Sequence, residues 1–446
     1  MPTFAFHTYG CQMNVRESEA AAKALLDAGH AVAPDEASAD IVIVNSCSVR
    51  GKAEDKALGK LGLLCATKRE RPGRVVGLMG CMAQRLGDEV FRRVPLLDFA
   101  IGTRCADRVA PAVEAALAGR PTLALRDLHE RPDAPSGHLP DGGFSAFVTI
   151  LLGCNRRCTY CIVPDVRGDE WSRPARDVLA EVRALAERGV REVTLLGQSI
   201  MNYGLRTPAF DADDPPSPGG YTLPFPRLLE AVAAIPGIAR IRFTSGHPSG
   251  VTDELIRLFR EEPKLCRHLH LPVQSGSSRV LARMRRGYTR EGYLAAVTRL
   301  REAAPDIAIT TDVIVGFPGE TEEDFQETRT LMEAARFDNA FIFKYSPRPG
   351  TVSATWEDDV SEEEKARRNQ ILLGDQDVRG ALLNQALIGT TQRVLAEGPS
   401  LRNKAKWSGR TSSNKIVIFT APEGLRPGDA LNLTILRAAP QTLYAE

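Results

Sequence analysis

The sequence predicts an α/β protein with an N-terminal doubly wound α/β domain, a central partial (β/α)6 barrel and a small C-terminal β-barrel. Strands alternate with helices in residues 1–119, six strand–helix units follow in 144–370, and short strands separated by turns fill the end of 371–446. The 446 residues suit about three domains of ~150 residues. With 43% apolar and 25% charged residues, the composition is that of a globular protein.

In the N-terminal domain, Phe4–Thr8, Ile41–Val44 and Arg74–Met79 predict strands, and Glu17–Ala28 and Gly51–Leu64 predict helices between them. The continuous β-branched run at 41–44 is typical of a strand buried on both faces of a parallel sheet. The alternation therefore predicts a doubly wound sheet.

A cysteine follows each of these three strands, namely Cys11, Cys47 and Cys81. Because the carboxyl ends of parallel strands meet at one edge of a sheet, the three thiols could converge on one ligand. The alternative is that each is a small buried residue in a tight turn.

Residues 120–143 predict a linker, since Arg131–Gly137 is rich in residues that break regular structure. Polar or glycine-rich residues follow each predicted strand of the central domain, where the active face of a parallel barrel lies. These strands are Phe147–Leu152, Glu192–Leu196, Arg240–Thr244, His268–Val273, Ile307–Val315 and Ala340–Tyr345.

The last segment begins with a capping box at Ser361–Glu364, which predicts a helix reaching Asn384. Strands at Gln392–Ala396, Lys415–Thr420 and Leu431–Leu436 then predict a small β-barrel. No acidic residue lies between 398 and 422, and Trp407 stands among the cations. Such a pattern suits contact with a nucleic-acid backbone and base stacking, and a solvated charged face is the alternative. The cations are Arg402, Lys404, Lys406, Arg410 and Lys415.

The overall charge excludes a uniformly basic nucleic-acid binder, because 57 Lys and Arg residues face 56 Asp and Glu residues. No apolar run approaches the ~18 residues of a membrane span, and the first residues do not form a signal peptide, so we expect a cytoplasmic protein with no membrane partner. Nine cysteines, an odd number, argue against a disulfide framework. Cys65, Cys105 and Cys266 are expected to be free thiols.

The most specific motif is CxxxCxxC, formed by Cys154, Cys158 and Cys161 at the end of the first barrel strand. Closely spaced thiolates select zinc or an iron–sulfur cluster. A closed zinc site needs four ligands, and neither a fourth cysteine nor a histidine lies nearby. Three cysteines on a 4Fe–4S cluster leave one iron open to a small molecule.

At this motif the chain resembles the radical SAM enzymes, which also have a partial barrel and an aromatic residue, here Tyr160, before the last cysteine. The resemblance implies that Cys154, Cys158 and Cys161 hold a 4Fe–4S cluster whose open iron binds S-adenosylmethionine and cleaves it to a radical. It also implies a reduced flavodoxin or ferredoxin as electron donor.

The wider resemblance is to the methylthiotransferases within that superfamily. The motifs that carry it are Thr8–Asn14, Asn45–Arg50, Gly80–Arg85, Arg167–Arg173, His270–Gly276 and Val315–Thr321, with Gly409–Thr411 and Asn414-Lys415 resembling the family's C-terminal TRAM domain. The resemblance implies that Cys11, Cys47 and Cys81 are the ligands of a second 4Fe–4S cluster, which carries the sulfur to be inserted.

Cys47-Ser48-Val49-Arg50 and Gln12-Met13-Asn14 are most similar to the branch of the family that acts on tRNA. That branch methylthiolates C2 of N6-isopentenyladenosine at position 37 of the anticodon loop. The candidates for contacting S-adenosylmethionine are Tyr160, Gln198, Gln274, Val315 and Gly316, for which loop-shaping hydrogen bonds are the alternative role.

Two other hypotheses remain open from the sequence. The same chemistry could act on threonylcarbamoyl-adenosine in tRNA or on an aspartate of a ribosomal protein. Alternatively, the chain could be a non-enzymatic iron–sulfur protein that binds RNA or senses redox state, in which case it would not cleave S-adenosylmethionine.

Overall fold

The computed structural model describes residues 1–49, 51–130, 137–139 and 143–446. Arg50 of the Asn45–Arg50 motif and most of the breaker-rich stretch 131–137 lie outside the described residues. Within the described part, no helix has both the length and the apolar character needed to cross a membrane.

The N-terminal domain is built on a six-stranded sheet in which every strand pair is parallel. The strand Ile41–Ser46 is buried along its whole length, because helices cover both faces of the sheet. In the order β2-β1-β3-β4-β5-β6, the sheet comprises β1 Thr3–Tyr9, β2 Ala31–Val32, β3 Ile41–Ser46, β4 Val75–Met79, β5 Phe99–Ile101 and β6 Thr122–Ala124.

The helices of this domain follow the predicted pattern with shifted ends. The first helix begins at Gln12, five residues earlier than predicted, because Cys11 and Asn14 cap it. The helices are α1 Gln12–Asp27, α2 Gly51–Ala66, α3 Cys81–Leu86, α4 Glu89–Arg93 and α5 Val109–Leu117.

All six predicted strands of the central barrel are present, in two three-stranded parallel sheets ordered β11-β10-β7 and β12-β13-β14. A single bridge between Ile241 and Leu265 joins the sheets. The strands are β7 Ser145–Thr149, β10 Glu192–Leu196, β11 Arg240–Phe243, β12 His268–His270, β13 Ala308–Val315 and β14 Asn339–Lys344, with a separate antiparallel pair, β8 Leu151–Leu152 and β9 Trp171–Ser172.

Helices surround the barrel and form one continuous apolar core with its strands. The helices of this part are α6 Val163–Arg167, α7 Ala175–Glu187, α8 Pro224–Ala233, α9 Asp253–Glu261, α10 Ser278–Arg283, α11 Arg290–Ala303, α12 Glu322–Ala335 and α13 Glu362–Gln385.

The C-terminal domain is a closed five-stranded barrel ordered β15-β16-β17-β19-β18. Two of its strands were not predicted: Trp407–Thr411, which lies inside the basic stretch, and Thr442–Ala445, at the end of the chain. The strands are β15 Thr391–Pro399, β16 Trp407–Thr411, β17 Ile416–Phe419, β18 Ala430–Ala439 and β19 Thr442–Ala445.

Two features of the chain cross the predicted domain limits. The strand β6 lies within the predicted linker 120–143 and pairs with β5, so the N-terminal sheet continues past residue 119. A limit at residue 370 would cut α13, whose Leu372 is fully buried in the core of the central barrel. A three-residue strand such as β6 leaves little trace in an apolar pattern, whereas the continuity of α13 past residue 370 agrees with the helix predicted to reach Asn384.

The C-terminal barrel packs against the amino ends of the central strands. Arg240, the first residue of β11, donates to the carbonyls of Arg410 and Arg393 at 2.7 and 2.9 Å. Lys415 donates to Asp338, the residue before β14, at 2.8 Å. The basic barrel and the CxxxCxxC motif therefore lie at opposite ends of the central barrel.

Candidate active site

Three cysteines meet at the carboxyl edge of the N-terminal sheet, as the sequence predicts. Cys11 caps α1 after β1, Cys47 follows β3, and Cys81 begins α3 after β4. The proximity of the Cys47 thiol to the thiols of Cys11 and Cys81 raises the pKa of Cys47 and lowers the pKa of each of the other two.

A buried pair of asparagines holds the turns that carry these thiols. Asn14 donates to the side chain of Asn45 at 2.9 Å, and Asn45 donates back to the Asn14 carbonyl at 2.9 Å. Asn14 also accepts from the Cys11 backbone at 3.2 Å. Gly80 has φ +94°, and a Cβ there would lie 2.3 Å from Oδ1 of Asn45, so the turn before Cys81 requires glycine.

The CxxxCxxC loop lies at the carboxyl end of the first barrel strands. Gly153 has φ +77°, and a Cβ there would lie 2.0 Å from the carbonyl oxygen of Asp169, so the backbone passes very close to the following segment. The backbone N–H of Cys154 donates to the Gly168 carbonyl at 3.0 Å, and that of Cys161 donates to the Cys158 carbonyl at 3.1 Å. Burial raises the pKa of Cys154 to about 11 and that of Cys161 to about 12.

Each trio of cysteines receives one buried arginine. Arg286 donates from Nη1 to Sγ of Cys158 at 3.3 Å, and Arg167 donates from Nε to Sγ of Cys81 at 3.3 Å. Both guanidinium groups are buried and oppose the negative charge that thiolates carry. The sequence places Arg167 in the Arg167–Arg173 motif and leaves open whether Arg286 faces RNA or solvent, and it assigns neither arginine to a cysteine.

The junction of the first two domains lies beside a cysteine of each trio. Cys81 packs in one buried cluster with Ile162 and Val166, and Ile162 directly follows Cys161. The Thr103 hydroxyl donates to the Val166 carbonyl at 2.6 Å, which further joins the N-terminal domain to α6. The fold therefore brings together six cysteines that lie far apart in the sequence.

The donor set of each trio fits an iron–sulfur cluster. Among the described residues, no three His, Cys, Asp or Glu side chains are close enough to ligate a single metal ion. A 4Fe–4S cluster is held by cysteine thiolates and is stabilised by N–H donors to sulfur, and each trio supplies three thiols and one arginine N–H donor. Cys65, Cys105 and Cys266 are buried free thiols outside both trios.

The predicted S-adenosylmethionine contacts lie at the carboxyl ends of the barrel strands, but several also shape loops. Gln198 accepts from the backbone N–H of Gly153 at 2.6 Å. Gln274 has φ +73°, an unusual conformation for a residue with a Cβ. Gly316 has φ +68°, and its N–H donates to Glu320 at 2.9 Å. Tyr160, which lies between Cys158 and Cys161 in the CxxxCxxC loop, packs edge-on against Phe317.

An open cleft of about 500 Å³ adjoins the CxxxCxxC loop. Arg156 reaches from the loop to Asn202 and Ser249, at 3.3 and 3.0 Å. Glu170 accepts from Asn202 and pairs with Arg206, at 3.0 and 3.3 Å. The cleft is lined by both positively and negatively charged side chains. The sequence does not predict this cleft, because its lining residues come from three separate loops.

The basic stretch of the C-terminal barrel divides into two sets. Arg402, Lys404 and Lys406 are exposed. Arg410 pairs with Glu397 at 2.8 Å, and Lys415 bonds Asp338 and Asn384 at 2.8 Å each. Only the first set is therefore fully presented to solvent.

The chain matches three described families along its length. Residues 3–102 match the Uncharacterized protein family UPF0004, residues 148–332 the Radical SAM superfamily, and residues 385–446 the TRAM domain. The fold is similar to that of the radical S-adenosylmethionine methyltransferase TsrM from Kitasatospora setae, with a TM-score of 0.56, 15% identity and coverage of 81% of this chain and 78% of that one.

Full-length relatives are much closer in sequence. The tRNA-2-methylthio-N(6)-dimethylallyladenosine synthase of Akkermansia muciniphila is 46% identical, over 100% of this chain and 98% of the relative. The protein of the same name from Geotalea uraniireducens is 45% identical, over 98% of this chain and 97% of the relative.

Proposed function

Because the chain belongs to the family of tRNA-2-methylthio-N6-dimethylallyladenosine synthases, we propose that it transfers a methylthio group to C2 of N6-isopentenyladenosine at position 37 of tRNA. The observation that carries the proposal is the packing of Cys81, from one cysteine trio, against Ile162, which directly follows Cys161 of the other trio. An enzyme that joins sulfur to an unactivated carbon needs a radical source and a sulfur source side by side.

We propose that Cys154, Cys158 and Cys161 hold one 4Fe–4S cluster and that Cys11, Cys47 and Cys81 hold the other. When bound, the clusters would supply the electron that cleaves S-adenosylmethionine and the site that handles sulfur. The protein's part is to hold the six thiols, four of which are buried, and to oppose their charge with Arg167 and Arg286.

Tyr160, Gln198, Gln274, Val315 and Gly316 are proposed to line the S-adenosylmethionine site. Their support is their position at the carboxyl ends of the barrel strands, beside the CxxxCxxC loop. The positive φ of Gln274 favours a functional role, since a strained backbone is retained where the surroundings require it.

The tRNA anticodon loop is proposed to reach this face, because an unpaired base there can be turned out and read. The exposed Arg402, Lys404 and Lys406, at the opposite end of the central barrel, are proposed to contact phosphates of the same tRNA outside its anticodon loop. We further propose a cytoplasmic location and a reduced flavodoxin or ferredoxin as electron donor, which the radical chemistry requires.

The test is mass spectrometry of tRNA nucleosides from a strain that lacks this protein. We expect loss of the 2-methylthio group with retention of the isopentenyl group. Complementation with a Cys47→Ala or a Cys158→Ala variant should fail, whereas Cys65→Ala, which changes a buried thiol outside both trios, should restore the modification.

The other outcomes identify the competing functions. Loss of the methylthio group from threonylcarbamoyl-adenosine, or from a ribosomal-protein aspartate, would change the substrate and keep the chemistry. Unchanged nucleosides together with purified protein that does not cleave S-adenosylmethionine would contradict the proposal altogether.

A further inference from the structure

Arg167 contacts both sides of the junction between the two cysteine trios. It is the last residue of α6 and lies six positions after Cys161. Its Nε donates to Sγ of Cys81 at 3.3 Å, while its two terminal nitrogens bind the carboxylate of Glu17. Arg167 and Glu17 are each only 3% exposed, so this contact is shielded from solvent.

Arg167 makes one more contact than its ion pair with Glu17 requires. A bidentate pair between a guanidinium and a carboxylate uses two of the arginine's nitrogens, and here the third is directed at sulfur. Both acceptors, Glu17 and Cys81, belong to the N-terminal domain, whereas the donor belongs to the central barrel. One side chain therefore fixes the position of Cys81 relative to the CxxxCxxC loop.

An N–H donor to a cluster ligand has a definite electrostatic consequence. One-electron reduction adds negative charge to a cluster, and hydrogen bonds to its sulfurs stabilise that charge and raise the reduction potential. The carboxylate of Glu17 opposes this effect, because it neutralises the same guanidinium.

We propose that Arg167 is a positioning residue that raises the reduction potential of the N-terminal cluster, and that Glu17 moderates this effect. This inference rests on the proposed function only in requiring that Cys11, Cys47 and Cys81 bind a cluster.

The test measures reduction potentials in full-length protein that carries one cluster at a time. A background with Cys154→Ala, Cys158→Ala and Cys161→Ala retains the N-terminal trio, and is reconstituted anaerobically with iron and sulfide. The potential is read from the electron paramagnetic resonance signal of the reduced cluster during a dithionite titration. Arg167→Gln should shift the potential to more negative values, and Glu17→Gln should shift it to more positive values.

Arg286 provides the matched control, because it makes the same kind of bond to Cys158 at the same 3.3 Å. Arg286→Gln should leave the potential of the N-terminal cluster unchanged. In the reciprocal background, with Cys11→Ala, Cys47→Ala and Cys81→Ala, Arg286→Gln should lower the potential of the barrel cluster and Arg167→Gln should not.

An unchanged potential in Arg167→Gln, or shifts of the same sign in Arg167→Gln and Glu17→Gln, would overturn the inference. If Arg167→Gln no longer binds iron, Arg167→Lys decides, since one ammonium group cannot span Glu17 and Cys81 in the same way. An Arg167→Lys potential equal to that of the parent would then overturn it. A parent background that holds far fewer than about four irons per chain would instead contradict the proposed second cluster.

Discussion

At the scale of single residues, the cysteine site of the N-terminal domain depends on a pair of amides. Asn14 and Asn45 are fully buried and bond each other, and Asn45 also donates to the Ser18 hydroxyl at 2.9 Å. Every one of these bonds fixes a turn that carries a thiol. A buried amide that loses its partner costs roughly 1–3 kcal/mol, so the pair affects both stability and cluster binding.

We predict that Asn45→Ala lowers the free energy of unfolding by about 1–3 kcal/mol and lowers the iron content after reconstitution. The reason is that Asn14 would keep a buried amide without its acceptor. Urea unfolding and iron determination measure the two effects. Asn403→Ala, at an exposed position of the C-terminal barrel, is the control, and equal iron content in both variants would contradict the prediction.

The sequence predicts the cysteines of the site better than the residues that donate hydrogen bonds to them. Cys11, Cys47 and Cys81 follow strands that have clear apolar patterns, so their convergence can be anticipated. Arg167 and Arg286 cannot be anticipated, because their role depends on which sulfur each meets after three domains have packed. The ion pair between Lys415 and Asp338 cannot be predicted from the sequence for the same reason.

At the scale of elements, the N-terminal sheet contains one close approach that fixes its packing. Gly77 of β4 lies opposite Phe99 of β5, and a Cβ at Gly77 would be 2.1 Å from the ring of Phe99. Phe99 is fully buried and has no free space to move into. The strand β5 was not predicted, since three residues are too few for a periodic pattern.

We predict that Gly77→Val lowers the stability of the N-terminal domain by about 1–3 kcal/mol, because the added atoms overpack the core. Hydrogen exchange of the β4 and β5 amides measures the local effect. Gly59→Ala in α2 is the control, because no atom lies within 4 Å of its Cβ position and alanine favours a helix. Equal protection of β4 in both variants would be the contrary result.

At the scale of the whole molecule, the linker segment 137–139 ties two domains together. The ring of His138 bonds Glu19 of α1 at 3.0 Å and Glu181 of α7 at 2.7 Å. Burial opposes protonation, but the two carboxylates outweigh it and raise the pKa of His138. Burial likewise opposes the charge of Glu181, yet His138, Arg173 and Arg16 lower its pKa to about 2.

This bridge predicts a pH dependence of stability. A histidine whose folded pKa is raised contributes fully below its unfolded pKa of about 6.5, and the contribution is lost as pH rises through the folded pKa. The midpoint of thermal unfolding should therefore differ most between the parent and His138→Gln at pH 5–6. A constant difference from pH 5 to 9 would contradict the prediction. His129→Gln is the comparison: Asp169 also raises the pKa of His129, but both side chains of that pair are exposed to solvent, so its effect on unfolding should be much smaller.

The charge of the C-terminal barrel predicts a salt effect on tRNA binding. Replacing Arg402, Lys404 and Lys406 with Gln should weaken binding and reduce the slope of log K against log salt by about 2–3, because each neutralised phosphate contributes about 0.7–0.9. Filter binding over a range of potassium chloride measures the slope. Lys415→Gln should change the slope less, since Lys415 is engaged by Asp338 and Asn384.

Two arginines at the joint between the central and C-terminal barrels bind backbone acceptors. Arg240 and Arg242 donate to the carbonyl oxygens of residues 393 and 410–412, and a carbonyl is the same whichever side chain it carries. Side-chain substitutions in the C-terminal barrel would therefore leave these hydrogen bonds in place. Insertions or deletions in the β16–β17 turn would instead move the carbonyl acceptors away from the two arginines. Grafting this module between relatives should accordingly succeed when loop lengths match, even where the sequences have diverged.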